Sequence, residues 1–319
     1  MFIEQSTYNE IKRTFPINAV ELLIFDSNNN LLMVKRINEP AKGKWWIPGG
    51  RVLFAESRMD AAKRLLKDEC GVNNGKFSEP RMFDYLVKNN TEDYYQHIIS
   101  TVFSVTIDST EIKLDSQSSE YRWQPLPQWI KEVEHSFLLA VLVDFQKGST
   151  TGFSKEQSVR SASQAFIKND LYDVILKSLA IPCVDLLVHN KVGEILLVKR
   201  KNAPSKDEWW VPGGRVIFAE NRLETAQRKL HEECNLKGMN YKEIDNFDFV
   251  YHLEDGRTIH NISTLFGVDA VEGNVKVDEQ SSDYSWRTKK EWLKETLHPF
   301  MKDVLEGNIG NGRSKKVYN

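Results

Sequence analysis

Two stretches of the chain place carboxylates and arginines at the same spacing, with equivalent residues such as Glu56 and Glu220 lying 164 positions apart. The first set is Glu56, Arg64, Asp68 and Glu69, and the second is Glu220, Arg228, Glu232 and Glu233. A loop glycine followed by carboxylates at the end of a helix offers a carbonyl and anionic oxygens, which are the ligands that Mg²⁺ or Mn²⁺ prefers beside a diphosphate. A single glutamate would more often lie on a solvated helix face, but the whole spacing found twice favours a metal site.

The residues around each set predict how it is positioned. An aromatic segment precedes it, Trp45-Trp46-Ile47-Pro48-Gly49 in the first copy and Trp209-Trp210-Val211-Pro212-Gly213 in the second. The Gly-Gly pair that follows predicts a turn in which backbone approaches a ligand without Cβ obstruction. Residues three and four apart share a helix face, so the next helix should bury Met59, Ala62 and Leu66, or Leu223, Ala226 and Leu230. Arg64, Asp68 and Glu69 would then lie on another face.

The motif resembles the Nudix box, G-x5-E-x7-R-E-U-x-E-E-x-G-U with U an aliphatic residue, from Gly50 to Val72 and again from Gly214 to Leu236. The resemblance implies hydrolysis of nucleoside diphosphates linked to another moiety, with Mg²⁺ or Mn²⁺ as the cofactor. It also implies an α/β/α sandwich. Glu56, Asp68 and Glu69, with Glu220, Glu232 and Glu233, are the candidate metal ligands of the two boxes.

Composition limits the class of protein. With 319 residues, 40% hydrophobic and 28% charged, the chain is long enough for two domains. A formal net charge of -2 argues against a nucleic-acid or membrane partner. The amino terminus lacks the pattern of a signal peptide, and three cysteines, Cys70, Cys183 and Cys234, are expected to be buried thiols in a reducing cytoplasm.

The repeat extends beyond the box and predicts two complete domains. Leu32 to Arg36 recurs as Leu196 to Arg200, and Gln117 to Tyr121 recurs as Gln280 to Tyr284. We expect domains at 1–146 and 164–309, a linker at 147–163 and a flexible basic tail at 310–319. Within the first half, three helices are expected, near Tyr8 to Arg13, after the Gly-Gly pair and ending near Phe145. Four strands lie between them, at Ala19 to Phe25, from the polar turn to Arg36, at Met82 to Lys88 and at His97 to Ile107. This order predicts an α/β fold of two tandem Nudix-type α/β/α sandwiches with mixed sheets.

Among Nudix proteins, each half is most similar to GDP-mannose mannosyl hydrolase, over roughly residues 1–145 and 165–308. Shared features include Lys35-Arg36, Gly49-Gly50-Arg51-Val52 and Gln117…Tyr121-Arg122-Trp123. Leu65 follows the box arginine. The mannosyl hydrolases also have Leu at this position, whereas most Nudix boxes have Glu there. The resemblance implies cleavage at the anomeric carbon of a nucleoside diphosphate sugar, with release of the diphosphate and the free sugar.

The same resemblance assigns roles to individual residues. Metal ligands would be Gly49, Glu69 and Gln117 in the first half, and Gly213, Glu233 and Gln280 in the second. Six arginines would contact the diphosphate and assist catalysis, namely Arg36, Arg51, Arg64, Arg200, Arg215 and Arg228, although Arg51 and Arg64 could instead be surface or helix-pairing residues. Glu21 and Asp185 match a substrate-contacting aspartate, and Trp46 and Trp210 could stack on a base or pack under the loop.

Both halves depart from the mannosyl hydrolases in their catalytic residues. Ser118 and Ser281 replace the general-base histidine, and a serine supplies no base near neutral pH without a partner. Glu120 and Asp283, or the strand residues His97 and His260, could act as substitutes, and these histidines could also contact the substrate. In the second half, Lys229 lies four residues before Glu233, so its ammonium could compete with a metal ion.

Three functions remain open from the sequence. The preferred one is a Mg²⁺-dependent hydrolase of GDP-mannose or a related nucleoside diphosphate sugar. The others are a Nudix pyrophosphatase that attacks phosphorus and a catalytically impaired nucleotide-sugar binding protein. An internal pseudo-dimer of the two halves, or a homodimer, is expected.

Overall fold

A computed structural model describes residues 3–39, 41–89, 91–147, 167–202, 205–253, 256–308 and 315–318. Its internal contacts divide the chain into two units, Met1–Ala180 and Ile181–Asn319. The predicted linker lies outside the described residues except for Lys147, as do residues 310–314 and 319 of the predicted tail. Each repeat forms a mixed β-sheet with helices, which confirms the predicted fold class.

The first unit contains eight strands and five helices among its described residues. The strands are β1 (Ile17–Phe25), β2 (Asn30–Arg36), β3 (Trp45–Trp46), β4 (Gly49–Arg51), β5 (Lys76–Phe77), β6 (Arg81–Asn89), β7 (Tyr94–Thr106) and β8 (Ser118–Pro125). The helices are α1 (Gln5–Thr14), α2 (Arg58–Cys70), α3 (Leu126–Glu132), α4 (Ser136–Lys147) and α5 (Asn169–Ser178). The sequence assigned α5 to the second repeat, but it groups with the first unit, in which the Asn18 side chain also donates to the carbonyl of Ala180 at 3.0 Å.

The second unit repeats this order. Its strands are β9 (Ile181–His189), β10 (Ile195–Arg200), β11 (Trp209–Trp210), β12 (Gly213–Arg215), β13 (Lys237–His252), β14 (Thr258–Glu272), β15 (Ser281–Arg287) and β16 (Lys315–Tyr318). The helices are α6 (Arg222–Cys234), α7 (Lys289–Trp292) and α8 (Pro299–Glu306). The strand β16 corrects the prediction of a wholly flexible tail, because it pairs with β13, whose outer edge would otherwise leave backbone groups unpaired.

Each sheet is mixed because one central pair is parallel. In the first unit the order is β3-β2-β1-β7-β5, and β1 runs parallel to β7 while its pairings with β2 and β4 are antiparallel. In the second unit β9 runs parallel to β14 in the same way. Every residue of β1 is buried, as expected for a central strand that is covered on both faces.

The two box helices begin and end at residues suited to those positions. The Ser57 side chain accepts a hydrogen bond from the Asp60 amide at the start of α2, and Asn221 forms a capping box with Glu224 at the start of α6. Gly71 ends α2 at φ 71°, and Asn235 ends α6 at φ 55°. Asparagine tolerates this left-handed conformation, which explains why the second box can lack the closing glycine.

The buried face of α2 differs in part from the predicted stripe. Ala62 and Leu66 are buried as predicted, but Met59 is only half-buried. Leu65, Ala61 and Cys70 are buried as well, because the helix packs against both β1 and β4. Leu223 is likewise half-buried in the second unit, whereas Ala226 and Leu230 are buried.

The Gly-Gly pair forms strand rather than the predicted turn. Gly49 and Gly50 belong to β4, which pairs with β1 so that Gly49 lies opposite Glu21. A Cβ added at Gly49 would lie 2.6 Å from the carbonyl oxygen of Val20 and 2.7 Å from Cγ of Glu21. Glycine is therefore required here by close packing against β1.

One face of the first sheet packs against α3 and α4 through an aromatic core. Trp129 of α3 is fully buried and its indole Nε1 donates to the carbonyl of Leu31 on β2 at 2.8 Å. Phe137 of α4 stacks on Tyr85 of β6 with ring centroids 3.6 Å apart. In the second unit Trp292 of α7 makes the equivalent bond to the carbonyl of Ile195 at 2.9 Å.

We expect Trp129→Ala to destabilise the first unit by about 3–5 kcal/mol, because it removes the largest fully buried side chain of this core. Trp129→Phe retains most of the ring packing and loses the hydrogen bond to Leu31, so it should cost about 1–3 kcal/mol. Urea unfolding followed by circular dichroism measures both. Equal losses for the two variants would contradict this division between packing and hydrogen bonding.

Candidate functional site

Glu21 lies at the centre of the first sheet and is buried. Its Oε1 accepts hydrogen bonds from the Tyr85 hydroxyl at 3.0 Å and from Trp46 Nε1 at 3.3 Å, and its Oε2 accepts one from the Ser100 hydroxyl at 2.7 Å. Burial raises the pKa of Glu21, while these three donors and the charge of Arg36 lower it. The carboxylate is thus fixed by the strands on either side of it.

Glu69 near the end of α2 is tied to the same part of the sheet. The amide of Gly49 donates to Glu69 Oε2 at 3.0 Å, because β4 runs beside the end of the helix. The pKa of Glu69 is raised to about 7. Burial is the largest cause and the negative charge of Asp115 adds to it, while the Gly49 hydrogen bond, Arg36 and Arg64 act in the opposite direction. A half-buried carboxylate beside a second negative charge would be stabilised by a bound cation.

Asp115 is a site residue that the sequence analysis missed. Its Oδ2 accepts a hydrogen bond from the Gln117 side-chain amide at 3.0 Å, and its Oδ1 accepts one from the Gln117 backbone amide at 2.9 Å. Asp278 holds Gln280 in the same way, at 3.1 and 2.9 Å. The signal was an aspartate two residues before the predicted glutamine ligand in both repeats.

Arg64 and Glu56 hold the loop that precedes the helix. Arg64 donates to both oxygens of Glu56, at 2.7 and 2.8 Å, and also to the carbonyl of Arg51 at 3.1 Å. Glu56 in turn accepts from the Leu53 amide at 2.9 Å. Glu56 and Arg64 are therefore paired with each other, and the roles predicted for them, metal binding for Glu56 and diphosphate contact for Arg64, stay predictions.

In the second repeat an arginine–glutamate pair holds the equivalent loop, and the arginine makes one further ion pair. Arg228 donates to both oxygens of Glu220, at 2.8 and 2.7 Å, and to the carbonyl of Arg215 at 3.3 Å. Its remaining nitrogen pairs with Glu232 at 3.0 Å. Arg228 thus bonds to both Glu220 and Glu232, and the roles predicted for these residues, diphosphate contact and metal binding, stay predictions. Asp68, the counterpart of Glu232, is exposed on α2.

A cavity of about 200 Å³ in the second unit brings several predicted residues together. Six of them line it, and they are Asp185, Arg200, Trp210, Gly213, Glu233 and Gln280. The pKa of Asp185 is raised to about 6. Burial is the largest cause and the charge of Glu233 adds to it, while a hydrogen bond from Ser263 acts in the opposite direction. Ser281, at the position of the missing histidine, also lines the cavity, as does Asn261.

Arg36 and Arg200 supply the positive charge of the two sites. Arg36 ends β2 and acts electrostatically on Glu21 and Glu69. Burial lowers the pKa of Arg200, and the charges of Glu233, Asp185 and Glu208 raise it. Arg51, by contrast, places its guanidinium over the ring of Tyr8 at 4.7 Å and is exposed. Arg215, the counterpart of Arg51, is not among the residues that line the cavity.

The substitute bases suggested by the sequence do not point into the site. Glu120 is 51% exposed and pairs with Lys35 at 2.7 Å. Asp283 is exposed, and its side chain accepts a hydrogen bond from the backbone amide of Tyr284. Ile259 and Asn261 line the cavity, so His260 between them faces the opposite side of the sheet. His97 occupies the equivalent position on β7, one residue before Ile98, which packs against the aromatic core.

Each tryptophan pair divides between two roles. Trp46 bonds Glu21 and packs against His135 and Phe137, with centroids 4.9 and 5.8 Å away. Trp210 lines the cavity and stacks on Phe300 at 5.1 Å. Trp45 and Trp209 instead pack against Trp129 and Trp292.

Comparison with known proteins agrees with this architecture. The model of the NUDIX domain matches residues 16–140 and 180–307. The chain belongs to the NUDIX family. Nudix hydrolases generally use divalent metal cations.

Two curated relatives resemble this Nudix protein over one domain's length. The low-salt glycan biosynthesis protein Agl8 of Haloferax volcanii is 30% identical over 38% of this chain and 78% of its own length. The ADP-ribose pyrophosphatase of Methanocaldococcus jannaschii is 30% identical over 33% of this chain and 59% of its own length. Among solved structures, the MutT protein of Methanosarcina mazei Go1 is 22% identical over 42% of this chain and 95% of that one, with a TM-score of 0.37.

The donor sets of the two Nudix domains fit a divalent cation differently. Glu69, the Gln117 amide and nearby Asp115 supply hard oxygens, which suit Mg²⁺ or Mn²⁺ in the first domain. In the second, the Lys229 ammonium lies 3.2 Å from Glu233 Oε1. Among the described residues, no three His, Cys, Asp or Glu side chains form a ready metal cluster. None of the described helices is long and apolar enough to span a membrane.

We expect Glu69→Gln, measured in the presence of a chelator, to raise the thermal stability of the protein more at pH 8 than at pH 5. The folded pKa of about 7 exceeds the ordinary value of 4.5, so ionisation of Glu69 weakens the fold progressively between these values and fully above them. Glutamine carries no such charge at any pH. Calorimetric unfolding temperatures at both pH values test this, and an equal effect at both would contradict it.

Proposed function

We propose that the first Nudix domain is a Mg²⁺-dependent hydrolase of GDP-mannose or a related nucleoside diphosphate sugar, with water attacking the anomeric carbon. The products would be the nucleoside diphosphate and the free sugar. An internal pseudo-dimer or a homodimer, and a cytoplasmic location, belong to the same proposal.

The observation that carries this proposal is Leu65. It follows the box arginine and is buried, and a Cβ at Gly50 would lie 3.0 Å from its Cδ2. Apolar contact therefore fills the place where a second box carboxylate would stand. With Glu69 as the one inward carboxylate of the helix, the domain suits a single ion, as the resemblance to mannosyl hydrolases implies.

Leaving-group stabilisation is the main contribution that these residues could make. A bound divalent ion would supply positive charge to the departing diphosphate. Arg36 adds a guanidinium to the same region, whose planar fork suits phosphate oxygens. As the bond from the anomeric carbon to oxygen breaks, its electron pair passes to the diphosphate, and the water oxygen bonds to that carbon and releases a proton.

Glu21 could accept a hydrogen bond from the sugar or base, but few of its acceptor positions are open. Its Oε1 already accepts two hydrogen bonds and its Oε2 accepts one. A carboxylate oxygen has two acceptor positions, so one on Oε2 remains for a substrate hydroxyl or amine. Ser118 supplies no base, which favours a slow reaction that depends on the leaving group.

A second candidate, attack at phosphorus, is favoured by the similarity to ADP-ribose pyrophosphatase. The similarity to a glycan biosynthesis protein supports the nucleotide-sugar reading instead. Both candidates need a divalent ion at Glu69, so they differ in the bond that is broken.

We expect the protein to hydrolyse GDP-mannose in ¹⁸O-water with Mg²⁺ and to place the label in mannose. Glu69→Gln should lower kcat by about 100-fold or more, because the carboxylate that would hold the ion is lost. Glu120→Gln is the control, since Glu120 is exposed and pairs with Lys35. Mass spectrometry of the products decides between the two candidates, and label in a phosphate product would overturn attack at carbon.

We expect Asp115→Asn to weaken metal binding and lower kcat in the first domain, each by about 10- to 100-fold, because Asp115 orients Gln117 and adds negative charge beside Glu69. Titration with Mn²⁺ measures the first effect and steady-state kinetics the second. Asp278→Asn is the matched variant in the second domain and should leave the affinity of the first metal site unchanged. An unaltered Mn²⁺ affinity in Asp115→Asn would refute this role.

A further inference from the structure

We propose that Lys229 takes the place of a divalent cation in the second domain, which therefore binds a nucleoside diphosphate without a metal ion. The absence of a metal from this domain is inferred from its own contacts. The choice of a nucleoside diphosphate as ligand rests on the function proposed above.

Lys229 occupies the same position against the sheet as Leu65 does in the first domain. Both residues follow the box arginine. A Cβ at Gly50 would meet Leu65 Cδ2 at 3.0 Å, and a Cβ at Gly214 would meet Lys229 Cε at 2.7 Å and Nζ at 3.3 Å. The lysine stem thus lies where the leucine lies, and its ammonium reaches beyond it toward the carboxylate.

The ammonium pairs with the carboxylate that would otherwise bind metal. Lys229 Nζ lies 3.2 Å from Glu233 Oε1 and 3.4 Å from Glu232 Oε2. The side chains of Lys229 and Glu233 are only 16% and 14% exposed. Glu233 Oε2 accepts from the Gly213 amide at 3.1 Å. Both oxygens of Glu233 are therefore engaged by groups of the protein.

A divalent cation would have to displace this ammonium. Breaking a largely buried ion pair leaves a charge without compensation, which is costly, and an ammonium that stayed nearby would repel the ion. In the first domain Leu65 carries no charge, and Glu69 has the Gly49 amide as a partner on Oε2. The two domains thus differ at the one position that decides whether a cation is needed.

The neighbouring cavity can accept a diphosphate. Arg200 and Glu233 line it together with Trp210, Gln280 and Asp185. Lys229 is not itself a lining residue, but its Nζ lies 3.2 Å from Glu233 and its stem lies against Gly214, and both of these residues line the cavity. Arginine binds phosphate as a planar fork, so Arg200 supplies the contact, while the ammonium of Lys229 offsets the negative charge of Glu233 at the cavity wall.

Metal counting tests the first part without any turnover. Mn²⁺ titration followed by electron paramagnetic resonance should give one tight site per wild-type chain. Lys229→Leu, which copies the first domain, should add a second site, and Lys229→Met should do the same if the leucine variant fails to fold. Leu65→Lys should remove the first site, and the second domain shows that the helix accepts lysine there. Two sites in the wild type, or no second site in a folded Lys229 variant, would overturn the proposal.

Ligand binding with a chelator present tests the second part. GDP in EDTA should bind once per wild-type chain by calorimetry, and Arg200→Gln and Lys229→Leu should each weaken it about tenfold or more. Glu120→Gln should leave this binding unchanged, because Glu120 is an exposed residue of the first domain that pairs with Lys35. Failure of GDP to bind in EDTA would refute the proposal, whereas loss of GDP-mannose hydrolysis alone would refute only the function of the first domain.

Discussion

The hydrogen bond from a strand glycine to the last box glutamate organises both domains. Gly49 donates to Glu69 at 3.0 Å, and Gly213 donates to Glu233 at 3.1 Å. A Cβ at either glycine would collide with the central strand, so β4 and β12 lie close against it. The hydrogen bond fixes the carboxylate beside the sheet residue Glu21 or Asp185, and the bidentate arginine–glutamate pairs hold the connecting loop around it.

Most of the fold follows from local signals in the sequence. The box helices have caps and an apolar face, and the buried strand Ile17–Phe25 is continuously apolar apart from Asn18 and Glu21. Strands such as β8 escaped prediction because five of the eight residues of Ser118–Pro125 are exposed and its partner β2 lies many residues earlier in the chain. Short strands such as Gly49–Arg51 depend on tertiary contact with β1, which no local pattern reveals.

The candidate site was predictable where a residue's role depends on its position and less so where it depends on its partners. The spacing grouped Glu69 with Arg36, which acts on it electrostatically, and with Gln117, which bonds Asp115 beside it. It also grouped Asp185, Arg200 and Glu233, which line one cavity. It could not show that Glu56 is held by Arg64 or that Glu120 pairs with Lys35, because those pairs form between separate segments. The strand histidines are a different case, because side chains alternate between the two faces of a strand and the neighbours of His260 are the ones that line the cavity.

The two domains differ at positions that act on the same charges. In the first, Glu21 reaches the hydroxyl of Tyr85, so the carboxylate is fixed by three donors. In the second, the shorter Asp185 accepts from Ser263, and Phe249, which has no hydroxyl, lines the cavity near it. The ammonium of Lys229 adds a positive charge beside Glu233, where the first domain has the uncharged Leu65 beside Glu69. Under the proposal that Lys229 replaces a cation, the duplicated domain no longer needs a metal ion beside Glu233, because the counter-charge has become part of the chain.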